Sequence, residues 1–187
     1  MKELAVGVWE LRCASINDFA MLVSSDPGDG RSGMFDATGK ACDWMHRPAV
    51  EFYVEPRKKV QKPHADVSLF RPGALVLNAK AKLALGAFLS KFGQFLELHH
   101  GSETLWFYNV TNMVSCVDAE RSEKRRSGAI AMEAFDGTNV PAEAAAFKDP
   151  LMAQIRIYVN DAGKALIEKI ASEAGLTGIE CGLPQRF

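Results

Sequence analysis

The clearest strand pattern in the chain covers residues 105–118, where aromatic and β-branched residues follow one another without Gly or Pro. No charged residue occurs in this stretch before Asp118. Such a run is typical of a strand that is buried on both of its faces. We therefore predict that this strand is central to the fold and that it is interrupted near residues 109–112.

Two segments flanking this strand have helical periodicity, with apolar residues three and four positions apart. The pattern predicts helices over residues 78–93 and 160–175, each beginning at an Asn and ending at a Gly. Strand patterns precede and follow each helix, at residues 74–78 and 94–99 and at residues 155–160 and 177–181. Lys82 and Lys164 are in register between the two units. The sequence thus supports two hypotheses, an internal strand–helix–strand duplication or two ordinary units with similar ends.

The remaining segments are predominantly strand-like or irregular. Further strands are predicted at residues 4–11, 19–23, 50–54 and 130–135, residues 140–150 are expected to form a turn or short helix, and residues 24–44 have no periodicity. Together these patterns predict an α+β fold with a mixed, mainly antiparallel sheet and two principal helices. We expect one domain over residues 1–187. The basic, proline-bracketed stretch 56–64 also suggests an N-terminal subdomain (1–64) joined to a core (65–187).

Composition limits the classes of function. The chain has 187 residues, 48% of them hydrophobic, and a net charge of −1. This charge favours neither nucleic acid nor an anionic membrane as a partner. The four cysteines form no Cys-x-x-Cys pair, and no apolar run is long enough to span a bilayer. We expect a reduced, cytoplasmic protein without direct nucleic-acid or membrane partners.

Two glycine motifs partly match phosphate-binding sites. Gly28-Asp-Gly-Arg-Ser-Gly33 matches G-x-G-x-x-G, but no helix long enough to hold a pyrophosphate is predicted after it. Gly39-Lys40 lacks the rest of a phosphate loop, because Met34 replaces the first Gly and Ala41 replaces the Ser or Thr. No cofactor is expected.

Residues Glu97, His99, His100 and Glu103 are the best candidates for metal ligands. On a strand, Glu97 and His99 share a face while His100 points away, so at most two of these side chains converge. No catalytic site and no metal site are therefore predicted. The alternative hypothesis is a small metal-dependent hydrolase that uses His99, His100 and nearby carboxylates.

Short motifs in a fixed order resemble a known family. From Trp44 onward the chain is similar to the Imm11-type immunity proteins of bacterial polymorphic toxin systems. The matching motifs are Trp44-Met-His-Arg-Pro48, Ala65-Asp66, Tyr108-Asn-Val-Thr-Asn-Met-Val-Ser-Cys-Val-Asp118, Ile157-Tyr158-Val159 and Gly175-Leu-Thr-Gly-Ile179. Residues 1–43 match nothing in the family pattern, and the family motifs carry over no binding residues.

The resemblance implies a cytoplasmic protein that binds and neutralises a toxin, often one delivered by type VI secretion and frequently a nuclease. Such an inhibitor needs no catalytic residues. A tight complex needs an accessible surface, and the irregular segment 24–45 is the longest loop candidate. Two hypotheses fit its acidic residues: they are attracted to the basic groove of a nuclease, or they are incidental charges on a mobile surface loop. The predicted toxin-binding residues are Asp26, Asp29, Phe35, Asp36, Asp43 and Trp44.

Overall fold

The computed structural model describes residues 7–14 and 17–186. Residues 4–6 of the predicted first strand lie outside this part of the chain. Within it, the strands form two four-stranded sheets and two two-stranded sheets, and there are three α-helices. The predicted α+β class, with a mainly antiparallel arrangement and two principal helices, is confirmed.

The first sheet contains the predicted central strand. Its order is β4 (Val67–Ser68), β5 (Leu75–Leu77), β7 (Glu103–Val110) and β6 (Gly93–His100), and each neighbouring pair is antiparallel. Helix α2 (Ala79–Leu89) connects β5 to β6. Strand β7 ends at Val110, so the interruption predicted near residues 109–112 is the end of the strand.

The second sheet has the same design. Its order is β10 (Ala146–Phe147), β11 (Tyr158–Asn160), β1 (Val8–Cys13) and β12 (Ile179–Gly182), again with antiparallel neighbours. Helix α3 (Asp161–Glu173) connects β11 to β12. In each sheet the two strands of a strand–helix–strand unit lie on either side of one antiparallel strand. This middle strand is β7 in the first sheet and β1 in the second. This match agrees with a duplication, which itself stays a prediction.

Strand β1 therefore belongs to a sheet formed with the C-terminal strands β11 and β12. A boundary at residue 64 would separate β1 from both of its partners.

The shorter elements belong to the segments that connect and cover the sheets. Strands β2 (Leu22–Ser24) and β3 (Val50–Phe52) form one antiparallel pair, and β8 (Glu123–Lys124) and β9 (Ile130–Met132) form another. Helix α1 (Pro27–Arg31) is a single turn within the stretch predicted to be irregular. Residues 140–150, expected to form a turn or short helix, contain β10 instead.

Three hydrophobic clusters build the core. Helices α2 and α3 pack with the inner faces of both sheets in the first cluster. The segment between β2 and β3 covers the outer face of the first sheet, and the segment after β7 covers the outer face of the second. Phe107 and Val110 are both 0% exposed, and they belong to different clusters. Strand β7 is thus buried on both faces, as predicted.

Candidate functional site

The predicted toxin-binding segment lies over the outer face of the first sheet and begins with helix α1. The Asp26 carboxylate caps this helix by accepting a hydrogen bond of 2.6 Å from the Gly28 amide, and Pro27 occupies the first turn. Proline fits this position because its missing N–H would have had no partner there. The glycine-rich sequence therefore forms one capped turn, and Asp26 remains exposed at its start.

The middle of the segment is held by Phe35. Its ring is 2% exposed and packs edge-on against Phe70 and Trp44, with centroids 4.8 and 5.4 Å away. The Arg71 guanidinium lies 6.0 Å from the Phe35 ring and donates a 2.6 Å hydrogen bond to the Gly30 carbonyl. A partner cannot reach a ring this deeply buried, so the expectation that Phe35 is a surface anchor is corrected: Phe35 attaches the segment to the core.

Trp44 packs against the core with one part of its ring and lies at the surface with the other. Its indole N–H donates to the Met34 carbonyl at 2.9 Å, and its ring packs on Phe107 with a centroid distance of 5.4 Å. The residue is half-buried, so only part of the ring faces outward. Trp44 fixes the path of the chain and offers a partner a limited apolar surface.

The four predicted aspartates differ in accessibility. Asp29 is half-buried, and its carboxylate lies 2.9 Å from the His46 ring nitrogen. Asp26 caps α1, whereas Asp36 and Asp43 are exposed. Of the predicted acidic residues, Asp36 and Asp43 are therefore the ones most available to a partner.

Strand β6 anchors both ends of the loop that carries Asp43. The Gln94 side chain pairs with the Cys42 backbone, accepting from its N–H at 2.5 Å and donating to its carbonyl at 2.9 Å. At the other end, the His99 amide donates to the Pro48 carbonyl at 2.8 Å. Residues 43–47 consequently form a short projection between two fixed points.

Met45 lies on this projection and is 95% exposed. Beside the projection is an open depression of about 350 Å³, lined by Asp43, Trp44, His46, Arg47, Leu96 and Glu97. The Arg47 guanidinium lies 3.5 Å from the Glu97 carboxylate and donates to the Thr104 hydroxyl. Met45 is not among the predicted binding residues, because a single methionine in an irregular stretch carries no signal of exposure.

The histidines of the alternative hypothesis do not converge. His99 is exposed, whereas the His100 ring lies against Phe52, and its Nδ1 is 3.1 Å from the Val50 carbonyl oxygen. His64 stacks on the Phe52 ring, and burial lowers its pKa, with His100 lowering it further. Among residues 7–14 and 17–186, no group of three or more His, Cys, Asp and Glu side chains could hold a metal ion.

Two motifs that carry the family resemblance are in direct contact. The Asp66 carboxylate accepts hydrogen bonds from the Thr177 amide at 2.9 Å and from the Thr177 hydroxyl at 3.0 Å. It also accepts from Asn78 and Lys80. Burial alone would raise the pKa of Asp66, but these donors outweigh it and lower the pKa. Asp66 thus joins β4 to the turn before β12, which indicates a structural role for both motifs.

No protein-family model matches the chain, and a search of characterised proteins finds no matching sequence. In the part of the chain that the structure describes, no helix has the length and apolar character needed to cross a membrane. Any assignment of function therefore rests on the motifs quoted above and on the surface formed by residues 24–47.

Proposed function

We propose that this chain is an immunity protein, which binds a cognate bacterial toxin in a 1:1 complex and neutralises it without catalysis. The toxin class that best fits is a nuclease, and the site of action is the cytoplasm. The order of the family-like motifs supports the class of protein. The surface of residues 24–47 supports the mode of action.

The observation that carries the proposal is the exposure of Met45 on an anchored loop. Covering this apolar side chain, which is 95% exposed, would lower the free energy of a complex. Both ends of the loop are hydrogen-bonded to β6, so little conformational entropy remains to be lost on binding. Side chains that dominate binding usually fill a well-packed pocket near the centre of an interface, and Met45 is positioned to do so.

The exposed acids on the same segment as Met45 support a basic partner. Asp36 and Asp43 are exposed, and Asp26 is exposed at the start of α1. A nuclease needs a basic groove to hold the phosphates of its substrate. Acidic side chains on the inhibitor would speed its association with such a groove and occupy the path of the phosphates. A basic groove with an apolar pocket for Met45 is therefore the expected complement.

Co-expression with the product of the neighbouring gene tests the proposal. We expect the two proteins to purify together, to titrate as a 1:1 complex by calorimetry, and to show stoichiometric loss of the toxin activity. Inhibition that continues at substoichiometric amounts of this chain would indicate turnover and overturn the non-catalytic mechanism. A neighbouring product that neither binds nor is inhibited would overturn the assignment as an immunity protein.

A further inference from the structure

A buried amide lies against a thiol beneath the projecting loop. Asn109 on β7 is 0% exposed, and its Nδ2 donates to the Lys40 carbonyl at 2.7 Å and to Gln94 Oε1 at 3.1 Å. The same nitrogen lies 3.4 Å from Cys42 Sγ. Its partner atom, Oδ1, is also buried and has no hydrogen-bond donor within the described residues. A buried amide oxygen without a donor is unfavourable, so this atom is available to a group that brings one.

The four free cysteines differ in their electrostatic surroundings. Burial raises the pKa of Cys13, Cys116 and Cys181 to about 12, and the strongest nearby charge in each case is a carboxylate. Burial also raises the pKa of Cys42, but there the strongest nearby charge is the Lys148 ammonium, which lowers it. Because thiolates rather than thiols react with electrophiles, Cys42 has the surroundings best suited to reaction.

We propose that Cys42 is a site of oxidation by hydrogen peroxide, and that the Asn109 amide holds the resulting sulfenic acid. The sulfur of deprotonated Cys42 attacks one peroxide oxygen, so that an S–O bond forms while the O–O bond breaks. The departing hydroxide combines with the proton that the thiol released and becomes water. Sulfur loses two electrons and peroxide gains them, which leaves Cys–SOH as the first product on the oxidation pathway of cysteine.

The amide of Asn109 has the two groups that a sulfenic acid needs. The added oxygen can accept a hydrogen bond from Nδ2, which already lies 3.4 Å from the sulfur. Its O–H can donate to Oδ1, the atom that otherwise has no donor. Oxidation would thereby satisfy a buried acceptor, whereas the reduced thiol leaves it unsatisfied.

Oxidation should also disturb the anchoring of the projecting loop. The new oxygen competes for Nδ2 with Gln94, whose side chain pairs with the Cys42 backbone and fixes the start of residues 43–47. A looser start to this loop would weaken the presentation of Met45. This consequence for a partner rests on the proposed function, but the modification itself does not.

The test exposes the purified reduced chain to hydrogen peroxide in the presence of dimedone, which traps sulfenic acids, and locates the adduct by peptide mass spectrometry. We expect Cys42 to be trapped roughly tenfold faster than any other cysteine. The adduct should be lost in Cys42→Ser and unchanged in the matched variant Cys181→Ser. Equal trapping at several cysteines, or trapping that omits Cys42, would overturn the proposal.

The role of Asn109 is tested without replacing it, because a variant at this buried position that failed to fold would give no information. In the unaltered chain, catalase is added to remove peroxide, and dimedone is added after increasing delays, in buffer and in urea. We expect the Cys42 sulfenic acid to persist several times longer in the folded chain than in the unfolded chain. Equal lifetimes in the two conditions would show that the amide does not stabilise it.

Discussion

Asn78 and Asn160 occupy equivalent positions in the two strand–helix–strand units. Asn78 Oδ1 accepts from the Ala81 amide at 2.9 Å at the start of α2, and Asn160 Oδ1 accepts from the Gly163 amide at 2.8 Å at the start of α3. The equivalence also holds for the Nδ2 atom of each side chain. Each Nδ2 donates to the segment that precedes the edge strand of its sheet, at Asp66 in one case and at residues 141 and 143 in the other.

The two asparagines differ in burial, and this difference gives a first prediction. Replacing Asn78 with Ala should cost about 1 kcal/mol, the usual contribution of a helix cap. Asn160 is 1% exposed and also accepts from the Ala145 amide at 3.2 Å. Asn160→Ala should therefore cost about 2–4 kcal/mol, because it leaves buried backbone groups unpaired. Urea unfolding of both variants measures the difference, and equal costs would contradict the role of burial.

Local sequence signals predicted these two units well. The Asn that starts each helix is a short-range feature, since a cap bonds to an amide three residues away. Gly175 follows α3 with a φ of 58°, as a helix stop should, whereas α2 ends at Leu89 and the predicted stop Gly93 is instead the first residue of β6. The unbroken apolar run of β7 is likewise a local feature, because a strand buried on both faces carries apolar residues at successive positions. The helix and strand patterns around Asn78 and Asn160 therefore located α2, α3 and their flanking strands to within a few residues.

Long-range pairing could not be predicted in the same way. Trp9 and Val159 are partners across β1 and β11, and nothing in the residues near either one specifies the other. The exposure of residues in the candidate site also depends on long-range contacts that local sequence does not specify. Phe35 and Met45 lie in one aperiodic segment, yet Phe35 is 2% exposed and Met45 is 95% exposed. Only the contacts that cover Phe35 and leave Met45 open distinguish them.

The central strand supplies a second prediction. Phe107 is 0% exposed and contacts Trp44 and Phe35, so Phe107→Ala should cost about 3–5 kcal/mol through lost burial and a residual cavity. Leu83 on α2 is 87% exposed, and Leu83→Ala should change the free energy of unfolding by less than about 0.5 kcal/mol. Chemical denaturation compares the two. A small effect of Phe107→Ala would contradict the assignment of β7 as the central strand.

A third prediction concerns the buried ammonium of Lys148. This residue is 0% exposed and donates to the Ala37 and Ala153 carbonyls. Burial lowers its pKa to about 8, below the value of 10.5 for an unperturbed lysine. Between these two values the unfolded chain binds more protons than the folded chain, so Lys148 makes stability rise with pH. Below pH 8 Lys148 is protonated in both the folded and the unfolded chain, so the free-energy cost of burying its charge is fully present.

At higher pH the cysteines oppose the rise in stability that Lys148 causes, so the measurement must separate the two contributions. Burial raises the pKa of three cysteines to about 12, so their contribution lowers stability above about pH 9. We therefore compare the unaltered chain with Lys148→Met between pH 7 and 9. The unaltered chain should gain about 1 kcal/mol relative to the variant across this range. A difference that does not vary with pH would place the Lys148 pKa outside it.

The exposed acids lead to a fourth prediction, which depends on the proposed function. Asp36→Lys and Asp43→Lys together should weaken toxin binding, mainly by slowing association, and should reduce the dependence of affinity on salt. Asp29 is left unchanged because its carboxylate contacts His46 within the fold. Glu120→Lys combined with Glu173→Lys, at two exposed acids outside residues 24–47, is the matched charge change. If both changes reduced toxin affinity equally, the attraction would come from the net charge of the whole chain rather than from the surface of residues 24–47.

The last prediction tests Met45 as the apolar anchor. Because 95% of its surface is exposed, Met45→Ala should leave the free energy of unfolding nearly unchanged. A reduction in toxin affinity can then be assigned to the interface. Truncation of a central interface residue commonly costs about 1–2 kcal/mol, so we expect a loss of roughly tenfold in affinity, expressed mostly as faster dissociation.

Leu83 is the matched control for Met45, since it is 87% exposed and lies on the outer face of α2, away from residues 24–47. Leu83→Ala removes a comparable apolar side chain from the surface and should leave affinity unchanged. If Leu83→Ala weakens binding and Met45→Ala does not, the toxin binds at α2 instead. If both variants bind as tightly as the unaltered chain, the projection formed by residues 43–47 is not the anchor, because its one large exposed apolar side chain would contribute nothing.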